Sequence, residues 1–231
     1  MRKILKKKLK YKDKIKYSKP QSALKPGGLY FPFVIGRGRG GKQLNTAPCG
    51  CCDMEQNCYA IAAFRRFFKT ESNIKRVIEL GTGQGGFSQF LNEQCIAKNI
   101  EFRTFEVDPK KCTACAKHGF VSEMILEDEK IGDIIRSSGK TVLLVDGGDK
   151  AEDIINFSQY LKPGDIIMGH DYASSFKFFL RNLRSKNIWR TWAWGIKSLK
   201  NTGLMDKYNL KEYRPSLFWR AAWGAFVVDK T

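Results

Sequence analysis

The segment Arg76-Val-Ile-Glu79-Leu-Gly81-Thr-Gly83-Gln-Gly85-Gly86-Phe-Ser88 constrains this chain more than any other, because an apolar strand runs directly into a glycine-rich turn that opens a helix. Glycine is required where the backbone takes a positive φ or lies closer to a ligand than a Cβ permits. The helix that follows presents unpaired N–H groups to an anion. A strand, turn and helix of this kind build a nucleotide-type cofactor site in an α/β protein. Gly81, Gly83 and Gly86 satisfy G-x-G-x-x-G, a pattern that dinucleotides and S-adenosylmethionine share, so the neighbouring residues have to decide between them.

Glu79 is the first discriminator, two residues before the first glycine at the carboxyl end of the strand. A carboxylate there repels a pyrophosphate and suits a cationic ligand, such as the amino group and sulfonium of S-adenosylmethionine, whose own carboxylate the helix N-terminus can receive. The plainer alternative is that Glu79 caps the loop by accepting backbone N–H bonds. One βα unit later, Glu101-Phe-Arg-Thr-Phe-Glu106-Val-Asp108-Pro109 alternates, ends in acids and is stopped by proline. A carboxylate about 20 residues past a glycine loop accepts ribose hydroxyls. Glu106 and Asp108 lie two apart on an extended chain and so project to one side, with Glu106 the favoured candidate.

Two further strands, Thr141-Val-Leu-Leu-Val-Asp146-Gly-Gly-Asp149 and Asp165-Ile-Ile-Met-Gly-His170-Asp171-Tyr172, are continuous apolar runs that turn polar at their carboxyl ends. Runs of this kind are buried on both faces, as in a parallel sheet. Between them Ala151 to Leu161 has helical spacing and stops at Lys162-Pro163-Gly164. Repeated βαβ units therefore bring Asp146, Asp149, His170 and Asp171 to the rim that carries Glu79, the glycine loop and Glu106. Gln56 to Lys69 reads as a helix packed on the sheet, Phe120 to Leu126 as the least distinct strand, Phe176 to Leu183 as a helix, and Ala221 to Val228 as a final strand, with Trp192-Ala-Trp194 starting the strand before it.

With these motifs in place, the chain resembles class I S-adenosylmethionine-dependent methyltransferases, in particular the branch of cephalosporin-hydroxylase-like proteins and sugar O-methyltransferases. The resemblance spans about residues 56 to 228 and rests on the joint spacing of Glu79-Leu-Gly-Thr-Gly-Gln-Gly-Gly86 with Ser88, Glu106-Val-Asp-Pro109, Asp146-Gly-Gly-Asp149, and Leu161-Lys-Pro-Gly164 leading into Gly169-His-Asp-Tyr172. It implies a Rossmann-like, doubly wound, mostly parallel α/β sheet of about seven strands with an antiparallel C-terminal edge strand. It implies methyl transfer from S-adenosylmethionine to an oxygen of a small molecule or sugar. Carried over by position, Glu79, Gly81, Thr82, Gly83, Gly85, Glu106 and Asp146 become cofactor-site residues, and Asp128, after the third strand, the adenine contact; read from the residues alone, Glu127-Asp128-Glu129 is a solvated acidic loop.

Related catechol-type and sugar-type enzymes hold a divalent cation through acids that fall here on Asp146, His170 and Asp171. An imidazole among them departs from the all-oxygen shell that Mg²⁺ prefers, which weakens the site, shifts it toward Mn²⁺-like ions, or frees His170 to act as general base with Asp171 or Asp146 orienting it. His118 has no acid partner nearby in sequence and reads as a surface or turn residue.

A chain of 231 residues with 42% hydrophobic content suits one sizeable enzyme domain. Seven cysteines, with no visible leader or long apolar span, read as reduced thiols in a cytoplasmic, reducing compartment; Cys49-Gly-Cys-Cys52 and Cys112-Thr-Ala-Cys115 match no standard zinc spacing. The formal charge of +18 is concentrated: residues 1–25 hold eleven Lys or Arg against one acid, Asp13, and account for ten of those charges. That basic arm reads as disordered and suited to RNA, DNA or an anionic surface. Residues 26–55, centred on Gly36-Arg-Gly-Arg-Gly-Gly41, read as a glycine-rich lid or linker ahead of the 56–231 domain. Two other functions fit the same residues: methylation of an RNA ribose hydroxyl, and a catalytically inactive nucleic-acid-binding protein. An NAD-dependent oxidoreductase is disfavoured by Glu79 and by the terminal strand.

Overall fold

The computed structural model of the chain describes residues 34–37, 43–45, 54, 56, 58–112, 114–125, 127–175, 177, 195, 199 and 203–229. The basic arm lies outside the described residues, as do Trp192-Ala-Trp194 and all but Lys177 of the helix expected over 176–183. Within the expected lid, β1 (Val34–Arg37) pairs antiparallel with β2 (Gln43–Asn45).

Helix α1 (Cys58–Thr70) buries Ala60, Ile61, Ala63, Phe64, Phe67 and Phe68, the three- and four-residue spacing of one helical face. It leads to β3 (Ile74–Leu80), which is buried at every position but Lys75 and pairs in parallel with a strand on each side, so an apolar run is the sequence it needs. After the glycine turn come α2 (Gly86–Ile96), β4 (Glu101–Glu106), a short 3₁₀ turn (Pro109–Lys111), α3 (Cys115–His118) and β5 (Ser122–Met124). This third parallel strand is three residues long, shorter than the expected 120–126. The chain continues through α4 (Asp128–Arg136), β6 (Lys140–Val145), α5 (Lys150–Phe157) and β7 (Ile166–Gly169). It closes with α6 (Leu204–Lys207), β8 (Leu210–Glu212), α7 (Pro215–Phe218), a 3₁₀ turn (Trp219–Ala221) and β9 (Gly224–Val228).

The seven strands from β3 to β9 form one sheet in the order β5-β4-β3-β6-β7-β9-β8. β9 runs antiparallel to both of its neighbours, with the three-residue β8 outside it at the edge. The winding reverses between β3 and β6, and a crevice at such a switch point, outside the carboxyl ends of the strands, is where open α/β sheets take their ligands. Register levels those ends: Leu80 lies opposite Phe105 and Val145, and Val145 opposite Gly169. Gly81, Glu106, Asp146 and His170, each following one of these residues, therefore share one rim.

Two apolar layers sandwich the sheet. One is built on Phe64, Phe67, Phe87, Phe90, Phe218 and Trp223, the other on Ile131, Ile135, Ile154, Phe157 and Phe226. Phe64 is fully buried, with the rings of Phe67, Phe87, Phe218 and Trp223 all edge-on to it. Among the described residues no helix is long and apolar enough to cross a membrane.

One expectation fails. Cys112 and Cys115 are joined in a disulfide rather than held as two thiols. The 3₁₀ turn ending at Lys111 and the start of α3 bring their Cα atoms to 5.6 Å, and the Cys115 N–H donates to the Cys112 sulfur at 3.2 Å. Two cysteines three apart across such a turn meet the separation a disulfide needs.

Candidate functional site

The glycine turn owes its shape to three positive φ values: 104° at Gly81, 54° at Gly83 and 84° at Gly85. Gly81 and Gly85 also allow close approach. A Cβ on Gly81 would lie 2.5 Å from the Gly147 nitrogen and 2.7 Å from the Asp146 carbonyl carbon, and one on Gly85 would lie 2.5 Å from the Cys112 sulfur. A Cβ on Gly83 would meet nothing, since that residue borders the open crevice. Glu106 clasps the turn from β4: one carboxylate oxygen accepts the Gly83 N–H at 2.9 Å and the other the Val107 N–H at 2.8 Å. The loop, Glu106 and the N-terminus of α2 thus converge as the sequence predicts, and Asp108 is exposed just beyond.

Beneath the turn lies a chain of buried hydroxyls that ends on Glu79. Thr82 Oγ1 is 2.8 Å from Ser122 Oγ and 2.6 Å from Thr104 Oγ1; Thr104 donates to Glu79 at 2.6 Å, and Ser88 Oγ donates to the same carboxylate oxygen. Thr82 thereby turns its side chain under the loop, leaving only its backbone toward the crevice. Glu79 is 1% exposed, and its capping partners are hydroxyls rather than backbone N–H groups. Burial pushes its pKa up to about 8, with the charges of Asp146 and Glu106 acting in the same direction and the Ser88 and Thr104 hydrogen bonds opposing. A cation placed in the crevice would relieve this unfavourable burial.

On the other side of the switch point, four side chains close a ring. Asp146 Oδ1 lies 2.9 Å from His170 Nδ1, and Asp146 Oδ2 accepts from Gln56 Nε2 at 2.8 Å. Gln56 Oε1 in turn accepts the Trp223 indole N–H at 3.0 Å, and the Trp223 ring stacks on the imidazole at 5.2 Å between centroids and 28° between planes. In the tautomer that carries its proton on Nδ1, this contact is a hydrogen bond donated to the carboxylate, and Nε2 is the accepting nitrogen. Sequence reasoning found Asp146 and His170 and missed Gln56, which precedes α1, and Trp223, which reads as core.

It also missed Lys150. This lysine is buried, with its ammonium 3.1 Å from Asp171 and 3.9 Å from Asp146. Asp171 is 1% exposed and sits at φ 58°, so its carboxylate meets the lysine below the rim. These residues do not fit a divalent cation: an ammonium already stands between the two carboxylates, and the remaining Asp146 oxygen is taken by Gln56. A recognisable signal was present, because Lys150 is four residues after Asp146 at the start of α5.

The other expected positions fall apart from this centre. Asp128 opens α4 and, with Asp149, lies close enough to Asp153 to help burial raise that carboxyl to about 7. Asp149 caps α5 by accepting the Glu152 N–H at 3.1 Å. His118 ends α3, half-buried.

No family model matches the chain, and no curated protein matches it in sequence. Solved structures do resemble it. The apo structure of CmcI-N160 aligns at a TM-score of 0.53 and 12% identity over 87% of this chain and 79% of that one. The plantazolicin methyltransferase BamL, in complex with a triazolic analog and SAH, aligns at 0.48 and 14% over 74% and 85%. The O-methyltransferase TomG from Streptomyces achromogenes, in complex with SAM, aligns at 0.44 and 10% over 74% and 79%. At these identities what is shared is the fold, and the match to CmcI-N160 carries that statement.

Proposed function

We propose that this chain is an S-adenosylmethionine-dependent methyltransferase acting on a hydroxyl oxygen of a small molecule or sugar. The observation that carries the reading is the glycine turn at the switch point, open at Gly83 and clasped by Glu106, with a buried acid of raised pKa beneath it. These residues fit the cofactor. Glu106 faces the place of the ribose, the N-terminus of α2 the carboxylate, and Glu79 supplies negative charge beneath the amino group and sulfonium.

When bound, the cofactor supplies an electrophilic methyl group, and the protein's task is to align an acceptor oxygen and remove its proton. His170 takes that proton at Nε2. Asp146 fixes the tautomer through Nδ1 and stabilises the imidazolium that results, while Gln56 and Trp223 hold carboxylate and ring in place. Lys150 offsets the charge of Asp146 and Asp171. Asp171 acts through Lys150, and the reading has no step that passes through a metal.

Calorimetric titration with S-adenosylhomocysteine, beside NAD⁺ and repeated on Glu106→Ala, tests the proposal. Micromolar binding of S-adenosylhomocysteine alone, lost in the variant, supports it. A folded protein that binds NAD⁺ instead, or neither ligand, refutes it.

A further inference from the structure

A second concave site lies on the flank of the sheet, between α1 and the segment formed by α7 and its 3₁₀ turn, and shares no residue with the rim. It is a cleft of about 710 Å³ whose lining includes Tyr59, Arg66, Thr70, Arg214, Trp219 and Arg220. No acid lines it. Neither α1 nor the stretch from Pro215 to Ala221 contains Asp or Glu, and α1 adds exposed Arg65 and Lys69 on the same helix.

The three guanidinium groups are not equivalent. Arg214 lies 3.4 Å from Glu71, donates to Thr70 Oγ1 at 2.6 Å and sits over the Tyr213 ring. Glu71 is shared with Lys140, so Arg214 is anchored without the cleft losing its positive character. Arg220 lies over two rings, its guanidinium carbon 5.6 Å from the Tyr59 centroid and 5.0 Å from that of Trp219. Arg66 is exposed on α1, and neither it nor Arg220 has an ion-pair partner among the described residues. Cation–π contact restrains a guanidinium and lowers the entropy lost when it binds, and the planar fork matches the oxygens of a phosphate.

We propose that this cleft binds the phosphodiester backbone of a single-stranded nucleic acid, with Arg66 and Arg220 contacting phosphates and the half-buried Tyr59 and Trp219 rings of the lining offering aromatic surface to bases. A strand is favoured over a single phosphorylated molecule because the whole chain carries +18, ten of those charges within residues 1–25, and such a field acts most strongly on a polyanion. Unpaired bases stack on aromatic side chains, a surface that a paired duplex does not present its bases to.

The test uses the full chain and a fluorescein-labelled twelve-nucleotide oligouridylate, followed by anisotropy over a salt series. Arg66→Ala with Arg220→Ala should weaken binding about tenfold and lower the salt slope by about 1.4. Lys75→Ala with Lys98→Ala, which removes equal charge from exposed positions outside the cleft, should weaken it less than about threefold. Arg220→Lys, which keeps the charge and discards the planar fork, should retain less than half of the wild-type affinity. Thermal melting confirms that each variant is folded. Equal losses in the two double variants, or none in either, would overturn the proposal by leaving all binding to the general field or to the arm. It would equally be overturned if uridine monophosphate or inorganic phosphate displaced the strand at micromolar concentration, or if phosphatidylglycerol vesicles bound through the same arginines and the strand did not.

Discussion

Glu79→Gln should make the cofactor-free protein far less sensitive to alkaline pH. The amide imitates the protonated acid: it keeps an oxygen to accept from Ser88 and Thr104 and carries no charge into a site that is 1% exposed. In the wild type, burial raises the Glu79 pKa from 4.5 to about 8, so the folded state binds the proton more tightly than the unfolded state does. The stability contributed by that proton is complete below about pH 4.5 and is lost as pH rises through about 8. At about 1.4 kcal/mol per pKa unit, the loss between about pH 5 and about pH 9 comes to about 4 kcal/mol. Asp153, raised to about 7, produces a second loss in the same direction, but it is common to both proteins and cancels in their difference. Denaturant unfolding followed by tryptophan fluorescence at several pH values measures that difference directly. A gap that opens toward high pH in favour of the variant supports the reasoning; parallel curves would refute it, meaning that Ser88 and Thr104 hold Glu79 ionised throughout. Saturating S-adenosylhomocysteine, whose ammonium favours the carboxylate, should flatten the wild-type curve and release a proton on binding, detectable as buffer-dependent calorimetric heats.

Gly81→Ala should abolish binding of S-adenosylhomocysteine and destabilise the fold by more than about 1 kcal/mol, because a Cβ there meets the backbone of Asp146 and Gly147 at a positive φ; calorimetry and melting report the two effects separately. Phe64→Ala should cost about 3–5 kcal/mol of unfolding free energy, read from denaturant midpoints, since it opens a cavity among four rings. Burial works to raise the Glu71 pKa, but Lys140, Tyr213 and Arg214 outweigh it and hold the value below the ordinary range. Its contribution to stability is therefore present above about pH 4.5 and lost as pH falls below that, so Glu71→Gln should cost about 1–3 kcal/mol near neutrality and progressively less in acid titrations of the unfolding midpoint.

The parts of the molecule legible in the sequence were those whose information is local. The glycine turn, Glu106 about twenty residues on, and the polar ends of β6 and β7 all follow from strand period and turn chemistry within a few dozen residues. Two of the residues that were missed, Gln56 and Trp223, act across distance. Gln56 reaches Asp146 ninety positions away and Trp223 at a separation of 167, and neither contact leaves a periodic trace. The expected metal site shows the same blindness in electrostatic form. The resemblance to metal-dependent enzymes implied a cation on Asp146, His170 and Asp171, but the cation that stands between Asp146 and Asp171 is the chain's own Lys150, one residue ahead of the helix expected from Ala151. Thiol chemistry was misjudged for a related reason: the spacing of Cys112 and Cys115 is compatible with helix or turn, and only the 3₁₀ geometry after Pro109 brings the sulfurs together.

The ring of Gln56, Asp146, His170 and Trp223 draws on both ends of the described domain. The glycine turn and its clasp at Glu106 are synthesised well before the histidine's stacking partner Trp223, which lies just ahead of β9. A chain that stops short of residue 223 would carry the glycine turn and Glu106 but deprive the His170 ring of its stacking partner and Gln56 of the indole that donates to it.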